Sequence, residues 1–283
     1  MKIGYECIPC LLNVSKKTLE LSKVSEKKAL RILIEVSRFL SLNVTPESTT
    51  TEIGSELFRL LKRELKNPDP LKAVKEESNL KAFEIVKKLS NLDFEKSLKA
   101  SLAGNLVDYS SESLEFDLEK DFFKVFREDL KIDETEELKK AIEGAKTILY
   151  VTDNCGEIIF DKLLLKHLKK KKLFIAAKSK PHSNDATIED LKIWGFHDFG
   201  EIVETGTDSL RMRDSSPKFR RLFEICDLVI LKGMAWFEDL SDEDLDKVFH
   251  IFRVKCSRVS RELGVPLGSN LVMRNTSKQL PLS

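Results

Sequence analysis

Two hydrophobic rhythms divide the chain. Over the first hundred residues apolar positions recur at helical spacing. Leu11 to Leu21 forms one amphipathic stretch. Ser25 to Leu42 forms a second, with Ala29, Leu30, Ile32, Leu33, Val36, Phe39 and Leu40 at its apolar positions. Pro46 to Leu65 is a third, with Pro46 near its first turn. Asn67-Pro68-Asp69-Pro70 then punctuates the chain. Helical spacing resumes over Leu71–Leu89 and over Phe94–Tyr109, interrupted at Gly104. From Lys146 the rhythm changes. Thr147–Thr152, Leu173–Ala177, Glu201–Glu204, Leu228–Leu231, His250–Val254 and Leu271–Met273 predict short strands. Glu157–Leu168, Asp185–Trp194, Pro217–Glu224, Phe237–Val248 and Cys256–Leu263 predict helices between them.

Strands alternating with helices argue a parallel sheet covered on both faces. The fold class expected is α/β: a three-layer α/β/α, Rossmann-like, mostly parallel sheet with an all-helical N-terminal region. The division is drawn at 1–95 for the helical region and 96–283 for the α/β domain.

The totals narrow the function. With 283 residues, 41% of them hydrophobic, the chain can bury a sizeable core. No apolar run approaches the roughly 20 residues that span a bilayer. Met1 to Glu6 carries no apolar signal core, so a cytoplasmic location without a membrane partner is expected. The net charge of +1 comes from interspersed charges, which leaves no nucleic-acid surface. The run Lys169 to Lys172 reads as a solvated helix end. Charged residues make up 34%, mostly Lys and Glu, with Gln only at Gln279; that composition resembles thermophile proteins. Five cysteines, an odd number, do not form a disulfide scaffold pattern in such a chain.

Candidate chemistry gathers at strand ends. The run Ile148 to Val151 ends in Thr152-Asp153-Asn154-Cys155-Gly156-Glu157 and a helix begins. Asp153 and Asn154 offer two oxygen ligands to a hard divalent cation, and the helix N–H groups behind them suit a phosphate. Asn184-Asp185-Ala186-Thr187 lies past the second of these strands, Thr205-Gly206-Thr207-Asp208 past the third, and Lys232-Gly233 ends the fourth. In a parallel sheet these ends share one edge. Taken singly, each has a plainer reading. Asn184 or Asp185 reads as a helix N-cap with Glu189 or Asp190 in the first turn. Asp153-Asn154 reads equally as an Asx turn. Lys232 reads as a surface lysine and Thr205-Gly206 as a turn. Their coincidence at one edge is what suggests a cation-plus-phosphate site. Hydrolysis of a phosphate monoester needs well over roughly 20 kcal/mol of barrier lowering. One lysine and a few amides, at roughly 1.5–3 kcal/mol each, fall far short. A divalent ion supplies Lewis acidity, charge neutralisation and an activated water together.

On these residues the chain resembles the ARMT-like, metal-dependent damage-control phosphatases, also classed as domain of unknown function 89. The matching stretches are Cys7-Ile8-Pro9-Cys10, Ala103-Gly104-Asn105 with Asp108, Asp153 to Glu157 with Phe160-Asp161, Asn184 to Thr187, Lys232-Gly233, and Lys255-Cys256 followed by Gly264 to Ser269. The Cys-x-x-Cys pair resembles the microbial subgroup. The resemblance implies one divalent metal, nickel, cobalt, manganese or magnesium, held by Asp153, Asn154 and Asp185. It implies Asp153 and Lys232 as catalytic, with Lys232 contacting substrate phosphate. Gly104, Asn105, Gly156, Glu157, Asn184, Thr205 and Gly206 complete the implied substrate site, with the amides of Cys155 to Glu157 adding helix-dipole attraction. The partner implied is a small phosphorylated metabolite, a sugar phosphate or a related damaged metabolite. The attacking group is either a metal-activated water or Asp153 itself. The family pattern has an asparagine about three positions after the Lys-Gly pair; Trp236 stands there instead.

The remaining motifs are weaker. Cys7 and Cys10 precede a helix, as in thioredoxin-like chemistry, but the helical surroundings favour a structural or disulfide role. Cys155 reads as a small residue filling a turn, or else as a reactive neighbour of the metal. Among the histidines, His182 alone lies near a site segment, and it reads as a solvated loop residue. Two rival functions stand beside the phosphatase. One is a non-catalytic metal- or nucleotide-binding module. The other is an S-adenosylmethionine-dependent methyltransferase, which would need a Gly-x-Gly-type loop that Asp153 to Gly156 does not supply.

Overall fold

Amphipathic faces with N-terminal caps give the first part of the chain its helices. The computed structural model describes residues 1–89, 91–106 and 118–276. The helices α1 (Cys7–Leu21), α2 (Glu26–Asn43) and α3 (Thr50–Leu65) pack around Leu19, Ile32, Val36, Leu57 and Leu61. Ser25 and Thr49 cap α2 and α3 by accepting the N–H groups of Lys28 and Glu52. The next helices leave this bundle. Ala82 and Ile85 of α4 (Lys72–Val86) and Leu98 and Leu102 of α5 (Phe94–Gly104) join the core against the sheet. The division drawn at 95/96 falls in the first turn of α5. That helix ends at Gly104 rather than continuing as drawn, and Asp108 and Tyr109 lie outside the described residues.

The second part alternates as expected. After α6 (Leu118–Phe126) come β1 (Leu130–Asp133), α7 (Thr135–Gly144), β2 (Thr147–Val151), α8 (Glu157–Leu168), β3 (Lys172–Ala177), α9 (Ile188–Ile193), β4 (Glu201–Glu204) and α10 (Pro217–Ile225). Then follow β5 (Leu228–Lys232), α11 (Met234–Leu240), β6 (Leu245–Arg253), α12 (Ser257–Leu263) and β7 (Asn270–Asn275). The seven-stranded sheet has the order β1-β7-β6-β5-β2-β3-β4, and only the β6–β7 pair is antiparallel. Each central strand is apolar on both sides because both are covered. Ile148 and Tyr150 of β2 face the core under α4, α5 and α8, while Leu149 and Val151 face Phe219 and Trp236 on the other side.

Two predicted helices need correction. Phe237–Val248 holds only the end of α11, and from Leu245 the chain is strand. The aliphatic spacing there fits either period, and β6 gains hydrogen-bonding partners on both edges, β5 and β7, which a helix would forfeit. The helix drawn from Asp185 begins at Ile188, capped by Thr187 in a capping box with Asp190. Residues 118–144, which carried no expectation, supply α6, β1 and α7. Among the described residues no helix is long and apolar enough to cross a membrane.

Strand order fixes where a ligand can sit. From β2 the chain proceeds outward to β3 and β4, then returns across β2 to β5. The carboxyl ends of β2 and β5 therefore flank a topological switch point. The helical bundle is latched to this edge through the segment after β4. Asp208 takes ion pairs from Arg59 and Lys62 of α3, both at 2.7 Å. Burial alone would raise the Asp208 carboxyl, but the hydrogen bonds from Arg59 and Lys62 outweigh it and hold it well below the usual range. A carboxyl depressed in the folded state stabilises above its unfolded pKa, and that contribution is lost as pH falls through the folded value. Asp208→Asn is expected to cost about 1–2 kcal/mol at pH 7, discounted for the partial exposure of Arg59. In urea unfolding the deficit should shrink below about pH 4; a deficit equal at pH 7 and pH 3 would count against the latch.

Candidate active site

At the end of β2 the chain turns through Asp153, Asn154, Cys155 and Gly156 into α8. Register sets the first contact. Val151 pairs with Leu231, so two residues on Asp153 lies beside Gly233. Gly233 has φ +86°, and a Cβ built there would stand 2.2 Å from the Asp153 carboxylate. Glycine at that position is what leaves the carboxylate its space.

The second contact comes from the other side of β2. Residues 184–188 wedge between the ends of β2 and β3. Ala186 N–H donates to Asp153 O at 2.8 Å and Cys155 N–H to Asn184 O at 2.9 Å. Lys178 N–H donates to Ala186 O, and Ile188 N–H returns to Lys178 O. Asn154 and Asp185 are partners in an antiparallel bridge, which sets their side chains on one face. Because Thr187 is the cap of α9, Asn184 and Asp185 are not spent on capping. The wedge so brings Asp153, Asn154 and Asp185 together.

A third set lies beneath the turn. Asn105, at the end of α5, donates through Nδ2 to Asp153 Oδ2 at 3.0 Å and also to Glu157. Glu157 and Asp161 of α8 grip the Lys232 ammonium at 2.6 and 2.8 Å, and Ser101 Oγ lies 2.6 Å from it. Lys232, Glu157 and Asp161 are all fully buried. Burial alone would lower the Lys232 ammonium, but Asp161 and Glu157 outweigh it and hold it above the usual lysine range. Burial pushes the Asp161 carboxyl up, against the pull of Lys232. The lysine implied to contact phosphate thus has its ammonium enclosed by protein oxygens. Lys75 of α4 forms a neighbouring buried pair with Asp69 at 2.6 Å.

The turn's own amides are also engaged. Cys155 N–H goes to Asn184 O, and Gly156 N–H to Asn79 Oδ1 of α4 at 2.6 Å. Of the three amides expected to cradle a phosphate, those of Cys155 and Gly156 are thus engaged within the protein. Gly104 sits against the Phe160 ring, where a Cβ would approach to 2.6 Å, so its role here is to let α5 close on α8. Thr205 N–H donates to Ala177 O and Gly206 N–H to Ser179 Oγ, which ties the end of β4 to the residues on either side of Lys178.

Sequence reasoning missed Lys178, Asn79, Asp161 as a charge partner, and Lys75. Lys178 obeys the same strand-end rule as the residues that were found, since it follows β3 directly. Its ammonium lies 3.9 Å from Asp185 Oδ2 and 5.1 Å from the Trp236 ring centroid. Burial lowers the Lys178 ammonium, and the Asp185 and Asp153 carboxylates oppose the shift. His182 is buried against Phe58 rather than solvated, and burial lowers its imidazole to about 3, so it is neutral. Trp236 is packed into the core rather than lining open space. Cys7, Cys10 and the other three cysteines are free thiols, which removes the disulfide option. Burial pushes the Cys155 thiol well up, consistent with a residue that fills the turn.

The donor set fits a hard divalent cation. The backbone bridge sets Asn154 opposite Asp185, with Asp153 next to Asn154, and among the described residues the buried Asn105 Oδ1 nearby has no hydrogen-bond partner. Asp153, Glu157, Asp161 and Asp185 bring four carboxylates to this end of the sheet, with the Lys178 and Lys232 ammonium groups beside them. Among the described residues no group of three or more His, Cys, Asp or Glu side chains is arranged to hold a metal.

The family model for the damage-control phosphatase ARMT1-like domain matches residues 3–271. A damage-control phosphatase of Pyrococcus horikoshii is 34% identical over 98% of this chain and 100% of that protein. An uncharacterized protein of Methanocaldococcus jannaschii is 31% identical over 97% and 96%, and a damage-control phosphatase of Archaeoglobus fulgidus 29% over 95% and 97%. The crystal structure of a domain of unknown function 89 protein from Pyrococcus horikoshii superposes with a TM-score of 0.89 at 33% identity, covering 98% of this chain and 100% of that one.

Removing Lys232 leaves Glu157 and Asp161 buried without their cation. Lys232→Met is expected to destabilise the protein by about 3–5 kcal/mol in guanidinium unfolding at pH 7. Stability within about 1 kcal/mol of the parent would refute a structural role for this ion cluster.

Proposed function

The chain belongs to the damage-control phosphatase ARMT1-like family, and from that premise we propose that it is a metal-dependent phosphatase hydrolysing phosphate monoesters of small metabolites. Sugar phosphates and related damaged metabolites are the substrates this reading favours. The observation that carries it is the bridge between Asn154 and Asp185, which supports Asp153, Asn154 and Asp185 as one oxygen set.

These three residues would hold a divalent cation, nickel, cobalt, manganese or magnesium. When bound, the cation supplies Lewis acidity and neutralises charge on the phosphoryl oxygens. The rest of the chemistry belongs to the chain. Asn105 orients Asp153 through its hydrogen bond to Oδ2. Glu157, itself fixed by Lys232, holds Asn105. Lys232 therefore acts through the charge cluster, keeping a column of side chains in one arrangement from α8 to the carboxylate of Asp153. Gly233 preserves the room Asp153 needs. A phosphate dianion meets the carboxylates of Asp153 and Asp185 before the cation arrives, so the reaction is expected to depend strictly on metal.

Phosphate release from a panel of phosphoesters, with Mg, Mn, Co or Ni against a chelator control, tests the reading. The expected result is metal-stimulated release that Asp153→Ala and Asp185→Ala each reduce about 100-fold or more, several kcal/mol of barrier. Full metal-stimulated activity in both variants would end the assignment. Metal binding without phosphate release from any ester would favour a non-catalytic metal-binding module.

A further inference from the structure

Two buried lysines flank β2, one at the end of each neighbouring strand. They are partnered very differently. On the β5 side, Lys232 directs its ammonium at Ser101 O, Ser101 Oγ, Glu157 Oε1 and Asp161 Oδ1. Those acceptors exceed its three N–H groups. On the β3 side, Lys178 is also buried, 6% exposed, yet its hydrogen-bond acceptor among the described residues is the carbonyl of Ser209 alone. The Asp185 carboxylate stands at 3.9 Å, outside hydrogen-bond range. Among the described residues no hydrogen-bond acceptor meets the other two ammonium N–H groups. A buried ammonium in that condition is costly unless an anion completes it.

The surroundings select the kind of anion. Lys178 faces Asp185 from one side while Asn154 faces it from the other, through the wedge of residues 184–188. An oxyanion between the metal set and Lys178 could accept from the ammonium and still lie against the cation. The indole of Trp236 backs the ammonium at 5.1 Å and leans on Phe219. A ring face holds a cation in place without using its N–H groups. The aromatic residue that departs from the family pattern thus orients a donor instead of providing one.

We propose that Lys178 is a catalytic residue that binds the substrate's phosphoryl group, with Trp236 as its positioning residue. The inference rests on the phosphatase reading above and adds to it the protein cation that contacts the phosphate. Lys232 is left to the ion cluster beneath Asp153.

The test uses the full chain loaded with Mn²⁺ and inorganic phosphate as the probe, titrated by calorimetry. Lys178→Met is expected to weaken phosphate binding about 10- to 100-fold, the loss of a charge-assisted hydrogen bond. Mn²⁺ affinity measured without phosphate should stay the same or tighten, because a like charge beside the two carboxylates is gone. Trp236→Leu should weaken phosphate in the same direction, with Trp236→Phe recovering most of the loss. Phosphate affinity of Lys178→Met within about twofold of the parent overturns the proposal. Should that variant fail to fold, seen as lost Mn²⁺ binding, the unmodified protein crystallised with Mn²⁺ and phosphate decides. Lys178 Nζ within about 3.2 Å of a phosphate oxygen supports the proposal, and a phosphate held by other donors overturns it. A parent chain that binds no Mn²⁺ and hydrolyses no ester refutes the phosphatase reading itself. A working parent with an unimpaired Lys178→Met refutes this inference only.

Discussion

Charge neutralisation in a low-dielectric interior is the constraint on which this structure depends. Four carboxylates meet at the carboxyl ends of β2 and β5 or directly behind them. A buried carboxylate without a partner either takes up a proton or unfolds its surroundings. Lys232 answers Glu157 and Asp161 within the protein. Asp153 and Asp185 are met differently. Asp153 accepts from two amides, those of Asn105 and Asn154, and Asp185 has Lys178 at 3.9 Å. The fold thus places a closed ion cluster, Lys232 with Glu157 and Asp161, directly beside the carboxylates proposed to hold a cation.

Packing holds that arrangement in place. The central strands are covered on both faces, so they cannot slide without exposing apolar side chains. Fixed strands fix the register that sets Asp153 beside Gly233. Behind the turn, Asn79 and Lys75 of α4 and Asn105 of α5 support it from helices that belong to the sheet's core and not to the α1–α3 bundle. The helical part of the chain therefore has two functions. One group of helices builds the floor of the site. The other has its own core and meets the site's rim through Arg59 and Lys62.

Most of the fold was legible because the two periodicities are well separated along the sequence. Long amphipathic runs gave the first helices, and short β-branched runs gave β2, β3 and β5. The failure at Phe237–Val248 arose where one aliphatic pattern satisfies both periods and strand pairing on two edges decides. Within the proposed site, the placing of Asn154 and Asp185 side by side at the strand ends was expected from the strand-end rule together with the family resemblance. What one sequence could not show was which polar groups would already be engaged. Nothing local distinguishes Lys232, whose ammonium is taken up by Glu157 and Asp161 of α8, from Lys178, whose ammonium is not. Nor could spacing reveal that Thr187 would take the cap and so release Asp185, or that His182 would be buried by Phe58 from α3. These outcomes depend on contacts between residues far apart in number.

The wedge of residues 184–188 has a consequence for how such a protein can diversify. Backbone hydrogen bonds clamp the chain at Lys178 and again at Asn184 to Ile188, so the acidic side chain between the clamps is located by main-chain atoms rather than by neighbouring side chains. The excursion from Ser179 to Ser183 can then change in length and composition while the clamps keep their register. The proposed ligand Asp185 and the rim thus lie on separate stretches of polypeptide, so lineages can remodel the entrance by insertion or deletion and leave the clamped backbone at its base intact.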